Sequence, residues 1–274
     1  MAGCANAGIL VLSFLVKGAG GNIVFGGHST VLITMGKAVI LTDPNLSERV
    51  WTLKRKSRPG LSQRHLDRVN LVLVSHGHYD HLDLRTVKRI NRDATVIVPP
   101  GLAGYFTRYG FKDVRTMTWW EQAAVHGVRV VVVPARHFKG RNPVAGGLYQ
   151  GYVIDGPYQV YFAGDTGWFE GLKEMGEMFK LDAALLPIGA YNPWSVFGHH
   201  MTPEQAIKAL MVLGAGLMVP IHWGAFRLSL EPIDEPIERL KLAAKVAGVE
   251  GRVAVLNPGD AVALPRRNDT LPEA

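Results

Sequence analysis

Cysteine is almost absent from this chain of 274 residues, since Cys4 is the single example. A lone cysteine cannot form an intramolecular disulfide, so no disulfide framework holds the fold together. It also excludes a zinc site built from several thiolates. The composition is compatible with a reducing compartment, and we expect a cytoplasmic protein, with membrane association or export left open.

Long hydrophobic runs are also missing. The apolar run Ile9–Val16 has eight residues, far fewer than the roughly 20 that a helix needs to cross a bilayer. No positive charge precedes it, as the start of a signal peptide would require. We interpret this run as a buried strand, with a targeting or membrane-directed segment as the alternative.

Internal repeats and low-complexity tracts are not found. Hydrophobic residues make up 47% and charged residues 19% of the chain, which is typical of a compact enzyme and unlike a disordered protein. We therefore expect one domain over residues 1–264, followed by a flexible polar tail over residues 265–274.

The net charge of +7 indicates either a solvated basic surface or attraction to an anionic partner. Basic residues cluster at Lys54–Arg58 and again around Arg136–Arg141. Aromatic residues do not alternate with these basic residues, as they would on a surface that stacks nucleic-acid bases. We therefore expect no specific nucleic-acid partner.

Short β-branched runs bounded by Gly, Pro or Asp recur along the chain. They predict strands at Asn22–Phe25, Thr30–Thr34, Ala38–Thr42, Asn70–Ser75, Thr95–Val98, Arg129–Val133, Gly151–Ile154, Gln159–Phe162, Ala183–Pro187, Leu217–Ile221 and Val253–Leu256. Helical patterns lie at Leu84–Arg92, Gly101–Tyr109, Trp168–Phe179, Thr202–Leu213 and Glu235–Val246. Both halves open with strands in quick succession and then alternate. This arrangement favours an α/β fold of two sheets packed face to face with helices on both outer sides.

The strongest chemical signal is the run Ser75–His81, which reads Ser-His-Gly-His-Tyr-Asp-His and follows directly on an apolar strand. Where a strand passes into a loop, His76 and His78 point the same way and can hold one metal ion. Asp80 and His81 lie just beyond and can reach a second ion. Imidazole and carboxylate ligands suit Zn²⁺, with Mn²⁺ or Fe²⁺ as alternatives.

Four ligands in one loop do not complete two metal sites, so further ligands are expected at later strand ends. Three apolar runs do end just before such residues, which are His137, Asp165 and His222. Taken alone, each of these three residues is more often a polar residue at a strand end whose hydrogen bonds are satisfied. Their recurrence after a motif that requires partners predicts that they bind metal.

This set of motifs resembles the metallo-β-lactamase superfamily. Over about residues 22–230 the chain is similar to the phospholipase D proteins that hydrolyse N-acyl-phosphatidylethanolamine, through stretches that include Trp119–Glu121, Pro187–Tyr191 and Ile221–Gly224. The resemblance implies the αββα sandwich of that superfamily, with two mixed sheets flanked by helices. The loop Asn192–Ser195 departs from the phospholipase pattern, because the Arg expected after the Pro is missing.

The resemblance also implies how two zinc ions would be held. The ligands would be His76, His78 and His137 for one ion, Asp80, His81 and His222 for the other, and Asp165 for both. Tyr79 stands where the diiron, oxygen-reducing branch has a carboxylate, which favours a hydrolytic site. A water held between two metals about 3.5–4 Å apart ionises near neutral pH and becomes the nucleophile.

Other polar residues are expected to assist. Asp80 is predicted to orient the water and move its proton, as a catalytic residue as well as a ligand. His200, just before the helix start at Thr202, is predicted to contact the leaving group or the oxyanion, with an ordinary polar loop residue as the alternative. Asp43 is predicted to accept the free N–H of a ligating His, and a turn Asp before Pro44 is the alternative.

Three residues are candidates for contact with substrate. Arg141 could pair with a phosphate, Trp194 could line a groove for an acyl chain, and His28 could line the cleft. The competing interpretations are a surface charge for Arg141, core packing for Trp194 and a hairpin turn for His28.

Together these residues predict a dinuclear zinc hydrolase that acts on a small-molecule or lipid anionic ester. The first hypothesis is a phosphodiesterase of the N-acyl-phosphatidylethanolamine phospholipase D type that uses a metal-bridging hydroxide. The alternative is a lactonase or other carbonyl hydrolase of the ascorbate-6-phosphate lactonase type. A non-catalytic protein that binds metal or nucleic acid is supported by the charge alone. Peripheral membrane contact and a dimer are both compatible with the sequence.

Overall fold

The computed structural model describes residues 20–138, 149–193 and 197–265. Several predictions from the sequence concern residues outside these ranges. They are the strand or targeting segment at Ile9–Val16, the substrate candidates Arg141 and Trp194, and the tail after Pro265. These stay predictions.

Strands and helices are interspersed along the described chain. The strands are β1 (Asn22–Gly27), β2 (Thr30–Met35), β3 (Ala38–Thr42), β4 (Arg49–Val50), β5 (Leu53–Lys54), β6 (Leu71–Leu73), β7 (Thr95–Val98), β8 (Val114–Thr116), β9 (Gln122–Val125), β10 (Val128–Pro134), β11 (Gln150–Asp155), β12 (Gln159–Phe162), β13 (Ala183–Pro187), β14 (Leu217–Ile221) and β15 (Ala261–Ala263). The helices are α1 (Gln63–Leu66), α2 (Leu84–Val87), α3 (Gly104–Thr107), α4 (Gly171–Met178), α5 (Pro203–Leu213) and α6 (Glu235–Val246). Across the described ranges, no helix combines the length and the apolar character needed to cross a membrane.

Each of the two large sheets combines an antiparallel part with a parallel part. The first has the order β15-β1-β2-β3-β6-β7-β8, with antiparallel pairing up to β3 and parallel pairing from β3 to β8. The second has the order β14-β13-β12-β11-β10-β9, with antiparallel pairing from β9 to β12 and parallel pairing from β12 to β14. Strands β4 and β5 form a separate hairpin. The prediction of two mixed sheets is therefore confirmed.

The valine run in β10 shows how the layers are specified. Val130 and Val132 point into the cluster between the two sheets, whereas Val131 and Val133 point into a second cluster with α4, α5 and α6. Successive side chains of a strand point to opposite faces, so a strand that is apolar at every position is covered on both sides. Helices α1, α2 and α3 cover the outer face of the first sheet in the same way. The result is the four-layer αββα sandwich that the sequence predicted.

Helix α5 begins where the sequence indicates. The hydroxyl of Thr202 accepts a hydrogen bond from the backbone N–H of Gln205 at 3.3 Å, and the Gln205 side chain accepts one from the Thr202 N–H at 3.0 Å. Pro203 occupies the first helical position, where its missing N–H leaves no bond unmade. The reciprocal cap fixes the course of the chain just after His200.

The prediction of a strand at Val253–Leu256 is wrong. Only its first residue pairs, in an isolated parallel bridge with Met218. Ala254 and Leu256 are buried in the core between the sheets, so alternating burial imitates a strand although no ladder forms. The strand that closes the first sheet is β15, which pairs with β1.

We expect Tyr152→Phe to lower the free energy of unfolding by about 1–3 kcal/mol. Tyr152 is fully buried between the sheets, and its hydroxyl donates to the Val74 carbonyl at 2.6 Å and accepts from the Gln150 amide at 2.7 Å. The substitution removes the donor and leaves these buried groups without that partner. Urea denaturation of both proteins, each free of metal, measures the change, and an unchanged midpoint would contradict the expectation.

Candidate metal centre

Loops at one edge of the sandwich bring the predicted metal ligands together. Strand β6 leads into the loop Ser75–His81, and later strands lead into the other ligands: β10 into His137, β12 into Asp165 and β14 into His222. The strands themselves are buried almost throughout. Polar side chains therefore emerge where each strand ends, and these ends meet at the junction between the two sheets.

The first group of side chains, called site A, consists of His76, His78 and His137. Together with Asp165, their candidate ligand atoms all lie within 4.8 Å of one another. His76 Nε2 and His137 Nε2 lie 2.8 and 3.2 Å from His78 Nδ1. Three imidazole nitrogens thus converge on one point, as in a metal site with three histidines.

The second group, called site B, consists of Asp80, His81 and His222. Asp80 Oδ2 lies 3.3 Å from His81 Nε2 and 3.4 Å from His222 Nε2. His28 approaches the same oxygen, with its Nε2 at 2.9 Å. These four side chains also have candidate ligand atoms within 4.8 Å of one another.

Asp165 lies between the two sites. Its Oδ2 is 3.1 Å from His81 Nε2 and 3.2 Å from His222 Nε2, both in site B. The same oxygen is 3.8 Å from His76 Nε2 and 3.8 Å from His137 Nε2, both in site A. One carboxylate oxygen therefore faces ligand nitrogens of both sites, which is where a bridging ligand of a two-metal centre would stand.

Asp43 is a buried carboxylate that supports both sites. It accepts hydrogen bonds from the Ser75 backbone N–H at 2.7 Å, from Ser75 Oγ at 2.6 Å and from His81 Nδ1 at 2.6 Å. Ser75 Oγ in turn lies 2.9 Å from His76 Nδ1. Because Nδ1 of both rings is engaged, Nε2 of His76 and of His81 faces the centre. Burial raises the pKa of Asp43, although His81 and Ser75 act in the opposite direction.

The loop that carries His200 is tied to site A. His137 Nδ1 donates to the carbonyl of His199 at 3.0 Å, which fixes the ring and leaves Nε2 for the centre. His200 itself is 5% exposed, and its Nε2 lies 4.0 Å from Asp165 Oδ2. The structure therefore places the predicted catalytic His200 beside Asp165, the carboxylate between sites A and B.

The centre holds opposite charges away from water. Burial would raise the pKa of Asp80 and of Asp165, but the neighbouring His81 and His222 hold both well below the usual range. Burial would lower the pKa of His81 and His222, yet the surrounding carboxylates raise the pKa of His81 well above its usual value and that of His222 to about 9. In the metal-free protein these two rings therefore carry protons that a cation would replace.

Four other histidines at or beside the centre are neutral. Burial, reinforced by neighbouring imidazoles, lowers the pKa of His28 to about 3 and that of His137 to about 4. The same causes lower the pKa of His76 and of His200 well below its ordinary value. A neutral imidazole is the form that binds a metal ion.

The donor set fits divalent transition-metal ions. Among the described residues, His81 Nε2, His222 Nε2 and Asp165 Oδ1 are buried and make no hydrogen bond. A buried polar atom without a partner costs about 1–3 kcal/mol, and a bound cation would offset that cost for all three of these atoms. Imidazole and carboxylate ligands without a thiolate suit zinc and its neighbours.

A cleft of about 480 Å³ opens above the centre. Its floor is polar and is formed by His78, Asp80, Asp165, His200 and His222. Its walls are mainly apolar and are formed by Val50, Trp51, Leu53, Tyr79, Phe138, Ala190 and Leu228, with Thr52. No Lys or Arg belongs to this lining within the described ranges. His28 is 1% exposed and lies behind Asp80, not on the cleft wall.

The sequence interpretation missed the hairpin that forms one wall. Trp51 at its tip is 72% exposed, and its ring meets that of Tyr79 edge-on at 5.1 Å. The two-residue turn Trp51–Thr52 lacks the Gly or Asn that usually marks such hairpins, although Trp51 has a φ of 53°. The signal that could have found it, an isolated Trp between two short apolar–basic pairs, is weak.

Comparison with known proteins agrees with this geometry. Residues 39–223 match the family model described as the β-lactamase superfamily domain. The chain is 32% identical over 245 residues to a UPF0173 metal-dependent hydrolase of Methanopyrus kandleri, covering 87% of this chain and 97% of that protein. It is 31% identical over 239 residues to the N-acyl-phosphatidylethanolamine-hydrolyzing phospholipase D 1 of Caenorhabditis elegans, covering 78% of this chain and 67% of that protein.

A solved structure supports the fold independently. The crystal structure of a possible metal-dependent hydrolase from Veillonella parvula superposes with a TM-score of 0.74 at 19% identity, covering 90% of this chain and 100% of that one. At this level of identity the likeness shows that the two chains share a fold.

We expect Asp43→Asn to weaken zinc binding by about 10–100-fold. The amide cannot accept hydrogen bonds from Ser75 and His81 as the carboxylate does, so the rings that these bonds orient become less well fixed. Competition with a chromophoric chelator measures the affinity. Asp83→Asn is the matched control, because Asp83 accepts bonds from Ser47 and Thr86 at the start of α2. An equal loss in both variants, or none in Asp43→Asn, would contradict this role.

We also expect zinc affinity to rise with pH up to about 9. The pKa of His222 is raised to about 9, so below that pH a proton occupies the ring and must leave when metal binds. Each proton released makes the apparent affinity increase roughly tenfold per pH unit. Chelator competition between pH 6.5 and 9, with proton release followed by an indicator dye, measures this. A flat profile without proton release would show that His222 is not protonated in the metal-free protein.

Proposed function

The chain belongs to the β-lactamase superfamily and is a metal-dependent hydrolase, and from that membership we propose that it is a dinuclear zinc phosphodiesterase. Its substrate class is an anionic ester that carries an apolar substituent. The observation that carries the proposal is the position of Asp165 Oδ2 between the ligand nitrogens of sites A and B. No other described carboxylate has this position.

The proposed ligands follow the two sites. Site A, with His76, His78 and His137, would hold one zinc ion. Site B, with Asp80, His81 and His222, would hold the other, and Asp165 would serve both. The buried nitrogen atoms without hydrogen bonds in site B support this assignment. The proton-bearing state of His81 and His222 supports it as well, because a cation relieves the same charge imbalance.

When bound, two such cations supply an ionised water near neutral pH and draw charge from the attacked oxygen. The residues of the chain position the reactants. Asp80 is ionised and lies on the cleft floor, so it can accept a hydrogen bond from a water and orient it. His200 is neutral and lines the cleft floor, and its Nε2 lies 4.0 Å from Asp165 Oδ2. It can therefore donate a hydrogen bond to a substrate oxygen or to the leaving group.

The walls of the cleft suit an apolar substituent such as an acyl chain. Trp51, Leu53 and Leu228 line the opening above the polar floor, and exposed apolar side chains around a cleft are typical of a ligand-binding groove. The named activity of the Caenorhabditis elegans relative on N-acyl-phosphatidylethanolamine supports a lipid phosphodiester. The net charge of +7 also favours an anionic substrate.

A carbonyl hydrolase of the lactonase type is the second candidate. The described lining of the cleft contains no Lys or Arg, and a phosphodiester is usually met by such cations. Arg141, the predicted phosphate partner, lies outside the described residues. A neutral lactone needs no cation in the lining beyond those bound at the centre.

A substrate panel separates the two candidates. Purified zinc-loaded protein is assayed with N-acyl-phosphatidylethanolamine in mixed micelles, with a soluble aryl phosphodiester and with a set of lactones. We expect kcat/KM for the phosphodiesters to exceed that for the lactones by at least about tenfold, a difference of about 1.4 kcal/mol in transition-state stabilisation. Removing the metal with a chelator should abolish turnover, and adding zinc back should restore it.

Asp165→Asn serves as the inactive control, because it keeps the size of the bridging residue and removes its charge. Faster hydrolysis of lactones would replace the phosphodiesterase with the second candidate. Turnover that survives both chelation and Asp165→Asn would contradict the dinuclear centre altogether.

A further inference from the structure

His28 lies at the turn between β1 and β2, directly behind site B. Its side chain is 1% exposed, and its Nε2 lies 2.9 Å from Asp80 Oδ2. Its ring also lies against the ring of His222, with the centroids 4.3 Å apart. Its ring lies 5.3 Å from that of His81 as well. His28 thus adjoins all three residues of site B, and the proposed mechanism gives it no role.

The backbone of His28 adds a separate contact. Its carbonyl accepts a hydrogen bond from the His222 N–H at 3.0 Å, so one residue holds Asp80 through its side chain and His222 through its main chain. The φ of His28 is 61°, after a φ of 101° at Gly27. A non-glycine residue seldom adopts this left-handed conformation, and it persists where the surrounding structure enforces it. The strained turn aims the imidazole at Asp80.

Two further side chains close the far side of the imidazole. The ring of Phe226 meets His28 edge-on at 5.5 Å, and the guanidinium of Arg55 lies over Phe226 at 4.5 Å. Both residues are buried. His28 is therefore held on a rigid support and does not reach the cleft.

We infer that His28 is a positioning residue that turns Asp80 Oδ2 towards site B and thereby controls whether site B holds its metal ion. The inference rests on the proposed dinuclear centre. With Nε2 protonated, His28 donates to the ionised Asp80, and a donor of this kind fixes a ligating carboxylate. Site A has different supports, which are Ser75 Oγ for His76 and the His199 carbonyl for His137. Loss of the His28 donor should therefore weaken site B and spare site A.

Two matched variants isolate the donor, His28→Asn and His28→Gln. Asn tolerates a positive φ, but its short amide ends near the place of Nδ1 and cannot reach Asp80. The longer Gln amide reaches the place of Nε2 and can donate as the imidazole does. Metal-free wild type and both variants are titrated with Zn²⁺ against a chelator, and bound zinc is counted by elemental analysis after desalting. Thermal unfolding without metal tests whether each variant folds.

We expect His28→Asn to bind the second zinc equivalent about 10–100-fold more weakly while the first equivalent is nearly unchanged. His28→Gln should recover most of the loss. Unchanged binding of both equivalents in His28→Asn would overturn the inference. An equal loss in both variants would overturn it too, because His28 would then act as a ligand or as a general structural residue. A wild type that binds a single equivalent would instead contradict the proposed dinuclear function.

Discussion

The candidate centre depends on one fully buried carboxylate, that of Asp43. Taking an ionised carboxylate out of water costs several kcal/mol unless strong hydrogen bonds compensate, and Asp43 accepts three short ones from Ser75 and His81. Through Ser75 it reaches His76 of site A, and directly it holds His81 of site B. One buried carboxylate therefore orients a ring in each site.

The position of Asp43 follows from how the strands pair. Strand β3 pairs antiparallel with β2 and parallel with β6, so the first sheet changes from antiparallel to parallel pairing at β3. Parallel neighbours end at the same edge, and the Asp43 N–H therefore donates to the Leu73 carbonyl at 3.0 Å. The loop after β6 then starts beside Asp43. The second sheet repeats this change, with parallel β12, β13 and β14 delivering Asp165 and His222 to the same edge.

Much of the candidate centre can be predicted from the sequence, because its pattern is local. Each of these ligand candidates follows shortly after a buried strand. His137, Asp165 and His222 are of this kind, and the structure brings all three to the loop of His76. The contact of His28 with Asp80 is not local, since it requires the β1–β2 turn to lie beside β14. The failure at Val253–Leu256 has the same cause, because apolar alternation indicates burial and does not reveal whether a partner strand is available. Strands of two residues, such as β4 and β5, are too short to show the alternation of apolar and polar residues that predicts a strand.

Hydrogen bonds connect the hairpin that forms one wall of the cleft to the loop that forms its floor. Arg55, at the base of the β4–β5 hairpin, donates to the Asn45 carbonyl at 2.7 Å, and Asn45 donates to the Asp80 carbonyl at 2.9 Å. Two hydrogen bonds thus join the base of the hairpin that carries Trp51 to the backbone of Asp80. Under the proposed function, an apolar substituent in the opening beside Trp51 would exclude water from the floor, where a lower dielectric strengthens charge interactions around Asp80. Under the proposed function, the apolar wall and the polar floor would therefore act together on one substrate.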